Sequence, residues 1–526
     1  MTERVVRGRT EAEGCRIVLP PTDGCALVIF GATGDLTRRK LVPSLWRLHR
    51  ESCFDPCFKI LGVGREPLSD EEFRKRMRAA IEEFTEDRPD DAAWAGFAER
   101  LHYLAADLAD HAAYAELAAR LAALGAGDPR LANHLFYFAV PPSLAPGIVR
   151  GLESADLTGE GAGWTRIVVE KPFGRDLDSA RELNLEIRRV FEESQVYRID
   201  HFLGKETVQN ILAFRFGNML YEPIWNRNYV EYVEITAAES IGVEDRGAFY
   251  DGTGALRDMV ANHLLQLLTL TAMEPPVAYD AESVREEKVQ VLRSVSPLSP
   301  DDVARRVVRG QHGPGAIDGG RVQGYREIEG VDPESGTETF VALELRIENW
   351  RWAGVPFYVR TGKRLARTVT EIAVHFKRTP HSIFGRTDES VEPNVIVLRF
   401  KPDEGIGVTF SAKVPGEGMR TTRVRMDFDY EEAFGVTLPD AYETLLLDAM
   451  QGEQMLFTRA DEAEAQWRVV APILEAWASG DSTDIATYPA GSEGPAEAAR
   501  LPESSGHAWR ELRPVDEGVP TVDAAS

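Results

Sequence analysis

Between residues 26 and 200, six short apolar runs follow one another: "ALVIF", "FKILGVG", "LHYLAAD", "HLFYFAV", "TRIVVE" and "QVYRID". Longer stretches with helical periodicity separate them. Strands that are apolar at nearly every position are buried on both faces, and a series of them separated by helices lines up in parallel with helices packed above and below. The runs are too short, and too rich in β-branched and aromatic residues, to be segments of buried helix. This predicts a doubly wound α/β domain of the Rossmann type over 23–199, after an N-terminal extension over 1–22.

A chain of 526 residues exceeds one ordinary core, and beyond residue 340 the pattern changes. Val341, Leu343, Leu345 and Ile347 alternate with Ala342, Glu344, Arg346 and Glu348, as in a strand with one wetter face. The same period of two recurs in "EIAVHFK", in "GVTFSAKV" and in "RVRMDFDY", where Val424, Met426, Phe428 and Tyr430 form the apolar set. These runs predict a larger α+β domain over 200–500 with a mainly antiparallel sheet. Helical pattern returns in "DAYETLLLDAMQGEQMLF" and "AEAQWRVVAPILEAW", and residues 501–526 read as a loosely packed tail.

The net charge of -25 repels phosphate backbones and anionic membrane surfaces, which argues against nucleic acid or a membrane as partner. An anionic small ligand needs basic residues gathered locally. Cys15, Cys25, Cys53 and Cys57 lack the paired partners of a zinc site, so free thiols and no metal are expected. The N-terminal stretch is polar and no apolar run reaches membrane-spanning length, which points to the cytoplasm.

The first strand runs into "FGATGDLTRRKL", where Gly31 and Gly34 occupy the turn from strand to helix and would let the backbone approach a pyrophosphate at the helix N-terminus. By itself this is equally a tight turn, because Ile29 stands where the full G-x-G-x-x-G fingerprint has its first glycine. After the second strand, "GVGRE" places Arg65 where NAD-binding domains carry an acid, and an arginine there favours the 2′-phosphate of NADP. Arg38 and Lys40 add positive charge nearby. The fifth run ends in "EKPFGRDL", which sets Lys171 at a strand end in the crevice, before Pro172 and a turn that accepts a cis bond.

The sixth run leads into "RIDHFLGKE", so Asp200, His201 and Lys205 emerge on the same sheet edge as Lys171. Two ammonium groups and an imidazole can hold a dianionic phosphate. Downstream, "ALRDMVANHLLQLLTL" is helical, with Leu256, Val260, His263, Leu264 and Leu267 in one stripe. A histidine there is ordinarily a core residue; it becomes a base if a buried carboxylate such as Asp200 orients it.

With these motifs in order, the chain resembles the glucose-6-phosphate dehydrogenase family. "GATGDLTRRKL", "GVGRE", "FYFAVPPS", "EKPFGRDL", "RIDHFLGKE", "PIWNRN", "GALRDMVANHLLQ", "GVPFYVRTGK" and "YETLLLDAMQG" carry the likeness. The resemblance implies oxidation of β-D-glucose 6-phosphate by NADP to 6-phospho-D-glucono-1,5-lactone, the first step of the oxidative pentose phosphate pathway, by a homodimer or homotetramer. It implies His263 as base and Asp200 as its orienting acid. His201 and Lys205 would hold the phosphate, Lys171 would touch substrate and cofactor, and Glu239, Asp258 and Lys363 would hold sugar hydroxyls. Gly31, Ala32, Thr33, Gly34, Asp35, Leu36, Thr37 and Arg38, with Arg65 and Tyr137, would line the NADP site.

The chain departs from the family pattern at Phe202, where a Tyr is usual, and at Thr368, where many bacterial relatives have a basic residue; here Arg367 is adjacent. Val369 and Ala373 replace basic residues that hold a second, structural NADP in animal enzymes, so that site is not expected. Two rival readings are a Rossmann oxidoreductase for an unphosphorylated sugar, which leaves His201 and Lys205 without a role, and a silent sugar-phosphate or NADP sensor, which does not need both His263 and Asp200.

Overall fold

All six apolar runs are strands. The computed structural model describes residues 4–7, 22–86, 88–161, 163–381, 392–416, 419, 421–435, 438–480 and 485–512. After a short strand β1 (Arg4–Arg7) come β2 (Ala26–Phe30), β3 (Lys59–Gly64), β4 (Leu101–Ala105), β5 (His134–Phe138), β6 (Thr165–Val169) and β7 (Val196–Ile199). They pair in parallel in the order β4-β3-β2-β5-β6-β7. Every position of β2 is buried, because helices cover both faces of the sheet. One covering helix, Asp70–Phe84, starts on a capping box in which Ser69 and Glu72 each accept from the other's backbone amide.

The second half contributes β8 (Val230–Ala238), β9 (Val307–Gly313), the hairpin β10 (Gly315–Ile317) and β11 (Gly320–Val322), β12 (Phe340–Arg346) and β13 (Pro356–Gly362). These are followed by β14 (Val369–Phe376), β15 (Val395–Lys401), β16 (Gly405–Lys413), β17 (Thr421–Asp429), β18 (Phe457–Thr458) and β19 (Ala486–Pro489). Ten of the strands form one sheet in the order β1-β17-β16-β15-β14-β8-β13-β12-β9-β19. Pairing is antiparallel except for β1 with β17, β8 with β13 and β9 with β19. Helices Glu206–Phe216, Leu265–Ala272 and Ala460–Ala478 pack on its inner face in one large core.

The halves interlock. β18 adds an antiparallel edge to the first sheet beside β7, and helix Ala441–Gln451 buries Tyr442, Leu445, Leu446 and Met450 in the first domain's core. That helix stops at Gly452, which adopts φ 86°, so "GEQMLF" is not helical as the sequence pattern predicts but leads into β18.

Three expectations about the second half need correction. The alternating strand at 340–347 is dry over most of its length, since Ala342 and Glu344 are buried like Leu343 and only Arg346 and Glu348, at its end, are wetter. The cause is the segment 498–512, which is not a loose tail: Leu501, Trp509 and Leu512 pack over Phe340, Ala342, Tyr358 and Val369 on the outer face. There Glu234 accepts from the Arg510 amide at 2.9 Å, Glu371 accepts from its guanidinium at 2.8 Å, and the Arg360 guanidinium lies 4.7 Å from the Trp509 ring centroid. His507 and His375 stack on Tyr232 at 4.2 and 4.0 Å. In β17 the apolar set keeps one face, level with Ile406, Val408 and Phe410 of β16, but burial at its centre runs the other way: Arg425 is buried by Asp427 at 2.7 Å, which also binds Arg399, whereas Met426 is 46% exposed. Residues beyond 512, most of the N-terminal extension and Cys15 lie outside the described residues. Cys25, Cys53 and Cys57 are free thiols, as expected.

Candidate active site

The turn after β2 is built for close approach. Gly31 has φ +86°, and a Cβ there would stand 2.2 Å from the Ala139 carbonyl oxygen, so a side chain cannot be accommodated. Gly31 and Ala32 donate their amides to the Val63 carbonyl at 3.0 and 3.1 Å, so they can meet a dinucleotide by backbone proximity rather than by those amides. Thr37 donates to the Gly31 carbonyl at 3.1 Å, and the helix runs through Thr37–Leu41 and Val42–Arg50. Arg65 stands exposed at the end of β3 and has no hydrogen bond or ion pair among the described residues. Arg38 is held by Glu83 at 3.2 Å, Arg39 by Asp35 at 2.6 Å and Lys40 by Asp440 at 2.9 Å. The small-residue turn fits a dinucleotide, and Arg65 leaves an unengaged cation at the neighbouring strand end.

β7 delivers Asp200 and the loop to Lys205. Gly204 lets this loop touch helix Ala441–Gln451, since a Cβ there would stand 2.6 Å from the Ala441 carbonyl. Asp200 Oδ1 accepts from the Phe202 amide at 3.0 Å and faces His263 Nδ1 at 2.5 Å. Both side chains are almost fully buried, and Asp200 Oδ2 has no partner among the described residues. The His201 ring meets that of His263 edge-on at 4.6 Å, and the Lys205 ammonium sits 4.2 Å from the Phe202 ring centroid.

His263 lies on a helix whose turns over Leu256–Leu264 close as a π-helix. The sequence stripe predicts an ordinary helix, in which residues five apart point about 140° away from each other. The wider i→i+5 closure brings Asp258 and His263 toward one side. Lys171 joins them: its Nζ is 2.8 Å from His263 Nε2 and donates to Asp258 Oδ1 at 3.2 Å and to the Asp258 carbonyl at 3.1 Å. Lys363 Nζ is 3.9 Å from Asp258 Oδ2 and pairs with Glu239. Asp200, His263, Lys171, Asp258, Lys363 and Glu239 thus form one continuous chain. The Lys171–Pro172 bond is cis.

Burial pulls the His263 pKa below the ordinary histidine value, with Asp200 opposing and Lys171 adding to the shift. Burial would raise Asp200, but His263, His201 and the Phe202 amide together outweigh it and hold the carboxylate ionised. A neutral His263 therefore donates Nδ1–H to Asp200 and turns the Nε2 lone pair toward Lys171, which is the arrangement of an oriented base. Burial, then His263 and Lys171, keep His201 neutral as well. Lys205 is pulled down to about 8 by burial and then by Lys401.

The structure brings together Asp200, His201, Lys205, Lys171, Glu239, Asp258, His263 and Lys363. The ring of Tyr137, expected along the NADP site, is fully buried and its hydroxyl donates to Glu170 Oε1 at 2.5 Å, so its link to the crevice runs through Glu170 and the adjoining Lys171. Tyr442 also bonds Glu170, and its ring lies parallel to His201 at 6.3 Å. Thr368 bonds Ser240 at 2.9 Å and Arg367 turns to Asp403 at 3.9 Å, so neither replaces the absent basic residue directly. Lys401, which acts on Lys205, was not legible as a site residue because it ends a strand nearly two hundred positions away.

Two family models match the chain: the glucose-6-phosphate dehydrogenase NAD binding domain over residues 28–210 and the C-terminal domain over 212–510. The glucose-6-phosphate 1-dehydrogenase of Aggregatibacter actinomycetemcomitans is 48% identical over 488 residues, covering 93% of this chain and 97% of that relative. That of Mycolicibacterium smegmatis is 45% identical over 490 residues, covering 93% and 98%. Among solved structures, the Mycobacterium avium glucose-6-phosphate 1-dehydrogenase superposes with a TM-score of 0.81 at 39% identity. A glucose-6-phosphate dehydrogenase in complex with its substrate glucose-6-phosphate superposes with 0.85 at 34%, and each of these two alignments covers 93% of this chain and 99% of the other. With both domains matched and the relatives covered almost end to end, the chain belongs to the glucose-6-phosphate dehydrogenase family.

Proposed function

We infer that this chain oxidises β-D-glucose 6-phosphate at C1 to 6-phospho-D-glucono-1,5-lactone. The observation that carries the reading is the buried Asp200–His263 pair, whose free imidazole nitrogen opens on Lys171 among the remaining charged side chains. His263 Nε2 takes the proton of the C1 hydroxyl, and Asp200 stabilises the resulting imidazolium. NADP, when bound, supplies the acceptor for the hydride leaving C1. Lys171, released from His263 by the substrate, steadies the C1 oxygen. Glu239, Asp258 and Lys363 hold sugar hydroxyls, while His201, Lys205 and Lys401 receive the phosphate. NADP rather than NAD is supported by Arg65.

We also propose a homodimer or homotetramer, supported by the half-exposed apolar row Ile406, Val408, Phe410 and Met426 on β16 and β17; light scattering on the purified protein checks it. The proposed compartment is the cytoplasm, supported by the three free thiols, which reducing conditions preserve. Among the described residues no helix is long and apolar enough to cross a membrane.

The deciding experiment follows absorbance at 340 nm on reduction of NADP or NAD, with glucose 6-phosphate, glucose or galactose 6-phosphate as substrate. Fast turnover with glucose 6-phosphate and NADP alone is expected. Equal turnover of free glucose removes the phosphate role of His201 and Lys205, and no turnover with any sugar leaves a sensor.

A further inference from the structure

Tyr250 lies in the short helix Gly247–Asp251, 5% exposed, with its ring packed against Val243, Tyr325 and Val331. Its hydroxyl has no hydrogen-bond partner among the described residues. A buried donor without an acceptor is uncommon in folded proteins and marks a place where a ligand or a water supplies one.

The surroundings indicate which. After burial, the groups that act most strongly on the Tyr250 phenol are Asp258, Glu338, Tyr488 and Glu239, and the Lys363 ammonium sits 5.7 Å from its ring centroid. Each of these groups is already engaged. Asp258 accepts from Lys171, Glu239 pairs with Lys363, Glu338 Oε1 accepts from the Leu256 amide at 2.9 Å, and Tyr488 donates to the Lys363 carbonyl at 2.7 Å. The hydroxyl therefore stands unpaired on a ring that the Lys363 ammonium approaches, and Lys363 in turn links Glu239 to Asp258, the residues assigned above to the sugar hydroxyls.

We propose that Tyr250 is a specificity residue whose hydroxyl donates to one ring hydroxyl oxygen of the sugar phosphate. The proposal rests on the assignment of Glu239, Asp258 and Lys363 to the sugar. The substrate brings an oxygen that accepts from Tyr250 while its own O–H points to a carboxylate, so a sugar lacking or inverting that hydroxyl leaves both protein groups unpaired.

The test is Tyr250→Phe, which removes one oxygen and keeps the ring. KM for glucose 6-phosphate should rise roughly three- to tenfold, the size of one net hydrogen bond, with kcat and KM for NADP within twofold. The melting temperature should be unchanged or higher, because the deleted atom had no partner. The 2-, 3- and 4-deoxy analogues of glucose 6-phosphate then locate the contact: one of them should show the same KM with wild type and with Tyr250→Phe.

An unchanged KM for glucose 6-phosphate, or an equal penalty with every analogue, means that water satisfies the hydroxyl and overturns the proposal. So does a lower melting temperature, which would reveal an internal bond. Glu239→Gln separates this failure from failure of the sugar assignment. If Glu239→Gln raises KM while Tyr250→Phe does not, only Tyr250 is wrong; if neither moves it, the sugar is elsewhere and both readings fall.

Discussion

Phe202 lies flat on the imidazole of His263, with ring centroids 4.3 Å apart and planes 13° apart. The Lys205 ammonium also lies against this ring, so the ring spaces the base from a phosphate cation. A tyrosine at this position keeps the stack and adds a donor at the ring edge. Phe202→Tyr should lower KM for glucose 6-phosphate by roughly tenfold, the equivalent of about 1.4 kcal/mol, and leave free glucose unaffected. Steady-state kinetics with both sugars checks this; an unchanged KM would show that Lys401 or a water already serves the phosphate there.

Replacing His263 with Asn retains a polar side chain but removes the base. A loss of roughly two to four orders of magnitude in kcat is expected, with little change in substrate affinity. Because the pKa of His263 is lowered, the imidazole stays neutral to a more acid pH than an exposed histidine. The acid limb of kcat/KM in the wild type should therefore lie below about pH 6.5. An acid limb above that value would contradict the role of burial at this site.

For Arg65→Ala, KM for NADP should rise while KM for NAD stays nearly constant, because only NADP loses a charge-assisted contact. Titration of both cofactors under identical salt conditions decides it, and parallel losses would assign the arginine to the shared part of the dinucleotide instead.

Lys205 gives an alkaline signature. With a pKa of about 8, its ammonium is charged well below that pH in the free enzyme, half-charged at it and lost progressively above it, and the phosphate binds only the charged form. KM for glucose 6-phosphate should climb between pH 8 and 9.5. By contrast kcat should not, since bound phosphate draws the proton back onto Lys205. Lys205→Arg, which remains charged, should flatten that climb. A wild-type KM independent of pH over this range would remove Lys205 from phosphate binding.

What could be read from the sequence follows the physics of each region. The strands of the first sheet are buried on both faces, so their composition alone distinguishes them, from Ala26–Phe30 to Val196–Ile199. "RIDHFLGKE" and "EKPFGRDL" could be placed at strand ends by the same argument. Residues buried by distant segments could not: Glu234, Arg360 and Glu371 look solvent-facing until Trp509 and Arg510 arrive over them. Nor does hydrophobic periodicity show whether a turn closes at i+4 or i+5, the difference that brings Asp258 together with His263. A motif also gives a position on a strand but not the face into which a ring packs, and Tyr137 turns out to be buried with its hydroxyl on Glu170.

The interlocking of the halves has a consequence for biosynthesis. A nascent chain that has emerged only as far as residue 430 holds the six parallel strands and most of the large sheet, yet it lacks β18, the helix that seats the 200–205 loop and the segment that shields Glu234, Arg360 and Glu371. The 200–205 loop therefore stays unsupported until the chain has emerged past residue 451. Chains arrested before residue 498 should be more readily captured by chaperones and cleaved by protease than the full-length product, a comparison that stalled-ribosome proteolysis can make directly.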